Sequence, residues 1–183
     1  MKNTGKAHFA AYCGLFCALG ILFPMIFHAF GAVSGQTFLP MHIPVLIAGL
    51  LISPLCGLVS GILSPALSCL LTNMPIPVKM PFMCIELAVY GLSSGLFMHL
   101  FTKKLKSRTA ACYISLICAQ ILGRIANLIC TFAAINIFGI TSPAISVKAA
   151  LASIPLGFLG IVIQWLIIPP AVNVLSKITR HKK

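Results

Sequence analysis

Six apolar runs follow one another through this 183-residue chain, at about 8–30, 40–53, 55–73, 81–101, 110–135 and 149–175. A helix needs roughly 20 mostly apolar residues to cross a ~30 Å hydrocarbon core, and every run but the second reaches or approaches that length. Charged residues make up only 8% of the chain, against roughly a quarter in a soluble domain. A surface so poor in charge needs lipid, not water, as its solvent. The sequence therefore predicts an all-α integral membrane protein of six transmembrane helices, forming a single membrane domain over residues 1–183.

The second run begins at Pro40, contains Pro44, and is separated from the third only by Ser53-Pro54. Runs two and three are therefore either two spans or one broken, re-entrant pair. Lys2 and Lys6 ahead of an apolar stretch look like a signal peptide. That stretch, however, is longer than the ~7–15 residues of a signal-peptide core and lacks a small-x-small cleavage site before polar sequence, so it reads as a retained first helix.

The net charge of +12 comes from 13 Lys and Arg against a single acid, Glu86. The cations sit in short flanks with no long basic face, so they speak for topology and against nucleic acid. Ten of the thirteen fall on one side if the helices alternate: Lys2 and Lys6, then Lys103, Lys104, Lys106 and Arg108, then Lys177, Arg180, Lys182 and Lys183. Lys79 and Lys148 fall on the other side, and Arg124 lies inside a span. The positive-inside rule then places both termini in the cytoplasm.

Ionisable groups within a span are costly and tend to face an interior or a water-filled cavity. Glu86 lies about a turn and a half into the fourth helix, with Tyr90 and Ser94 continuing its face. On the fifth helix Gln120, Arg124, Asn127 and Thr131 are spaced four, three and four apart, which makes one polar stripe. Both groups fall in the outer half. They are either an ion pair clamping the two helices or the wall of a ligand site. Gln36, His42, Asn73 and His28 lie near the same outer end and are further candidates, while Gln164 suits an interhelical hydrogen bond. The outer connections 31–39, 72–81 and 136–148 could form a lid over a cavity.

Small residues form a second pattern, with Ala7-xxx-Ala11 and Ala10-xxx-Gly14-xxx-Ala18 on the first helix. The third helix carries Gly57-xxx-Gly61 and Ser60-xxx-Ser64-xxx-Ser68. Such ridges let helix backbones approach closely, within the chain or against a partner. The eight cysteines form no CxxC pair and read as packing residues, with no metal site. The GxSxG at Gly91–Gly95 would sit mid-helix and not on a strand-to-helix elbow. An intramembrane serine protease of the rhomboid type would need Gly after Ser93 and a His in the sixth span; Ser94 and the distant His181 stand instead. The chain is read as no enzyme. It has no phosphate-binding GxxxxGK[ST] loop, so any use of ATP falls to another chain.

A small, basic, six-helix protein with this first helix resembles the substrate-binding S-component of energy-coupling factor (ECF) transporters. The stretch Phe38–Pro75, with Pro44, Ala48-Gly49, Pro54, Gly57 and Gly61 in rhythm, looks like that family's second and third helices. Glu86–Gly91 and Gly123–Asn127 are similar to its fourth and fifth. The resemblance spans nearly the whole chain. It implies capture of a water-soluble vitamin or related micronutrient at the outer face of the cell membrane, under the loop between helices one and two. Delivery inward would follow docking to a coupling membrane protein and two cytosolic ATPases, with no cofactor on this chain. It also implies that Ala7, Ala10, Ala11, Gly14 and Ala18 form the docking surface. Glu86, Tyr90, Arg124 and Asn127 would face the substrate, with Gln36 to His42 as cover. Gln120 from the polar stripe and Asn73 from the outer end are added to the expected site on their position alone. The vitamin itself stays open: Arg124 and Lys148 suit a carboxylate, whereas Glu86, Asn127 and Tyr90 suit a neutral ring. The alternative is a stand-alone secondary transporter or channel, against which stand the single acid and the lack of evident inverted halves.

Overall fold

The structure is a computed structural model that describes residues 3–28, 31, 35, 37–137, 139 and 145–180. The described residues are overwhelmingly helical: α1 Asn3–His28, α2 His42–Ile47, α3 Pro54–Thr72, α4 Met80–Lys104, α5 Arg108–Asn136, α6 Val147–Leu156 and α7 Phe158–Arg180. α1, α3, α4, α5 and α7 each contain a segment long and apolar enough to cross a membrane. Leucine and isoleucine stand out from their surfaces, with Leu70 78%, Leu166 69% and Ile129 62% exposed. That is the expected outer coat where the surrounding solvent is lipid.

The second apolar run is shorter than a span. α2 continues into a five-residue π-helical segment, Ala48–Ile52, so that His42–Ile52 forms one short apolar helix of about 16 Å at 1.5 Å rise per residue. It ends where Ser53 adopts an extended backbone and its hydroxyl accepts from the Cys56 amide at 3.1 Å. Pro54 is then the first residue of α3, where a missing N–H costs nothing. The two elements are a half-length helix and a return helix, joined at the Ser53-Pro54 break.

α4 is the central helix, flanked by α3 and α5. On its α3 side the backbones touch: a Cβ placed on Gly61 would come within 2.6 Å of the Leu87 carbonyl carbon. Ser60, Ser64 and Ser68 are also buried, and Ser64 faces α1. α1 runs parallel to α3 and meets it through small groups, with Cys13 Sγ 3.3 Å from Cys56 Sγ and the Ser64 hydroxyl 3.7 Å from Cys17 Sγ. All eight cysteines are free thiols and five of them are buried. The largest apolar core lies between α2, α4, α5 and α7, around Leu46, Leu87, Leu116, Ile168 and Val172.

The last apolar run is broken at Gly157, which separates α6 from α7. Helix directions bring the 37–41 and 73–79 connections to the same end of the bundle as residues 145–153. Lys103, Lys104, Lys106 and Arg108 gather at the opposite end, around the 105–107 turn, with Lys6 and Lys177 near the helix ends beside them. Lys79 and Lys148 lie at the connection-bearing end, with Arg124 inside the bundle toward the same end.

Candidate functional site

At the connection-bearing end lies a cavity of about 330 Å³, at the small end of the ~300–1,000 Å³ usual for ligand pockets. Pro24 of α1, Leu39–His42, Met74–Ile76, the first turns of α4, the outer half of α5 and residues 145–153 enclose it. The polar part of its wall is built on two facing helices. Glu86 enters in the second turn of α4 and is 5% exposed. From α5, Arg124 Nη1 donates to Glu86 Oε1 at 3.1 Å and Asn127 Nδ2 donates to Oε2 at 2.7 Å. His42 Nε2 stands 4.0 Å from Glu86 Oε1. The three-residue step from Arg124 to Asn127 puts both donors on one helix face, so each carboxylate oxygen receives its own donor.

The ion pair and the cavity wall are therefore the same residues. An ion pair serving only as a clamp would have its remaining polar atoms bonded elsewhere in the protein. Here, among the described residues, Arg124 Nε and Nη2 and both ring nitrogens of His42 are buried with no hydrogen-bond partner. His42 is 5% exposed and packs edge-on to Tyr90, ring centroids 5.0 Å apart. A buried, unsatisfied polar group costs about 1–3 kcal/mol, and both residues that carry these atoms belong to the cavity wall.

The other expected residues fall elsewhere. Tyr90 is buried under His42, its ring against Gly123, where a Cβ would come within 2.6 Å. It supports the cavity and does not line it. Gln120, one turn below Arg124, is also outside the wall. Its amide donates to Gln164 Oε1 at 2.8 Å and its oxygen accepts from Trp165 Nε1 at 2.7 Å. The interhelical role expected of Gln164 is thus filled by a network joining α5 and α7. Asn73 is an exposed helix cap, left-handed at φ 54°, whose amide bonds the Cys69 carbonyl. Gln36 lies outside the described residues. Thr131 is in the wall, as its place on the α5 stripe suggests.

Met83, Phe82, Lys79, Ser146 and Ser153 also line the cavity. Met83 stands three residues before Glu86 on the same helix face, so spacing alone would have found it. Ser146 and Ser153 come from the far end of the chain and carry no such signal. The GxSxG serines bond back into their own helix, Ser94 Oγ donating to the Gly91 carbonyl at 3.0 Å and Ser93 Oγ to that of Val89.

A bundle of apolar helices with one polar-floored cavity under its connections defines a multi-pass membrane protein equipped to hold a small solute. The family described as the substrate-specific component of ECF transporters matches residues 10–172. The chain belongs to that family. No curated protein and no solved structure matches it.

Proposed function

We propose that this chain captures a water-soluble vitamin or related micronutrient in the cavity floored by Glu86, Arg124, Asn127 and His42, and hands it inward with separate subunits that hydrolyse ATP. The observation that carries the reading is the set of buried, partnerless nitrogens on Arg124 and His42, two residues of the cavity wall. The cavity end faces outward in this reading, because the lysines and arginines gather at the opposite end. Both termini are then cytoplasmic, in the plasma membrane.

Docking to a coupling membrane protein falls to α1. Ala7, Ala10, Ala11, Gly14 and Ala18 are all exposed, while Cys13, Phe16 and Cys17 between them are buried against the bundle. Ala10, Gly14 and Ala18 also edge a shallow groove shared with α3. Two cytosolic ATPases complete the importer, and no cofactor is bound by this chain.

The test has two arms on the full chain. Mass spectrometry of small molecules released from the detergent-purified protein is expected to find one compound enriched over an unrelated membrane protein. Uptake of that compound by cells is expected only when the coupling protein and ATPases are co-expressed. Undiminished uptake by the chain alone would favour a stand-alone transporter and overturn the reading.

A further inference from the structure

We propose that the substrate is a small monocarboxylate with an apolar body, its carboxylate held side-on by Arg124. The inference rests on the reading that the cavity binds the transported solute. It turns on which nitrogens are taken. Glu86, the chain's one acid, has both oxygens occupied by its own neighbours, Arg124 Nη1 and Asn127 Nδ2. Its negative charge is already balanced by Arg124 at 3.1 Å, which leaves no unpaired anion for a cationic solute. The nitrogens of Arg124 that lack a partner are Nε and Nη2, the two along one edge of the guanidinium. Their N–H bonds run parallel and match the two oxygens of a carboxylate.

Charge points the same way. The charged residues of the cavity wall are Lys79, Arg124 and Glu86, a formal surplus of one positive charge that a single anionic group would neutralise. Room for the fork comes from Gly157, where a Cβ would lie 2.9 Å from Arg124 Nη2. Most of the remaining wall is apolar, from Leu39, Met41, Met74, Phe82, Met83 and Ile145. A solute filling it therefore presents one acid group and an otherwise apolar or aromatic surface, within about 330 Å³.

Titration calorimetry on the purified full chain, freed of retained compounds, compares matched acids and amides: nicotinate with nicotinamide, and benzoate with benzamide, up to millimolar concentration. At least one acid is expected to bind ten-fold or more tightly than its amide. The Gly157→Ala variant, which crowds Nη2 and leaves the ion pair in place, is expected to narrow that ratio to less than three-fold. Amides binding as tightly as acids, or no acid binding, would overturn the proposal. Release of a neutral or cationic compound from the purified protein overturns the substrate class and leaves the capture function standing. Release of no enriched compound instead sinks the capture reading itself.

Discussion

Gly57 of α3 and Gly91 of α4 meet backbone to backbone, so closely that a Cβ on either would overlap the other's main chain. The contact fixes the distance between these helices, and α4 in turn carries Glu86 to the cavity. Gly91→Ala cannot be absorbed by a flexible side chain, because the atoms it meets are main chain. Overpacking of this kind costs about 1–3 kcal/mol, read as a lowered thermal unfolding temperature in detergent. Gly14→Ala on α1 meets nothing within 4 Å and is expected to leave that temperature unchanged.

The Glu86 carboxylate is held by two donors from α5, and removing it strands a guanidinium that is only 16% exposed. Glu86→Ala is expected to destabilise the fold by up to about 3 kcal/mol, somewhat less than a fully buried pair would lose. Arg124→Ala on that background should then cost little more. A double-mutant cycle measures the pair, with a coupling of about 0.5–3 kcal/mol expected for groups in direct contact.

Trp165 is the chain's single tryptophan, and its indole N–H bonds Gln120. Gln120→Leu breaks this bond and leaves the Gln164 amide oxygen without its donor. A loss of about 1–3 kcal/mol is expected, with a blue shift in Trp165 emission as the indole loses its acceptor. Because Gln120 lies below the cavity wall, affinity for the co-purified compound should hold within two-fold.

Exposed small residues on α1 predict a separable docking defect. Gly14→Leu adds bulk at a position where a Cβ meets nothing within 4 Å, far from the cavity, so binding of the solute should survive. Co-purification with the coupling protein should fall at least ten-fold, measured by pull-down of the tagged chain.

The run lengths, proline positions and Ser53-Pro54 already announced the helices and the break after α2. That Glu86 and the Arg124 stripe fall in the same half was also legible, but whether they pair was not; the bonds from Arg124 and Asn127 to Glu86 came only with the structure. Depth was not legible either. Gln120 belongs to the same stripe as Arg124 but bonds α7, and spacing on one helix cannot tell which neighbour each turn faces. Likewise Asn73 looks polar and well placed, yet its left-handed backbone serves to end α3. The wall contributed by residues 145–153 depends on the chain turning at Gly157, a tertiary event with only a glycine to mark it.

The most direct measurement is the position of the co-purified compound in an experimental structure of the loaded protein. The account predicts density in the cavity beneath residues 39–42 and 74–76, with an acidic group within 3.2 Å of Arg124 Nε and Nη2, the usual limit for such bonds. Density anywhere else, such as the α1–α3 groove beside Ala10 and Gly14, with the cavity empty, would contradict it.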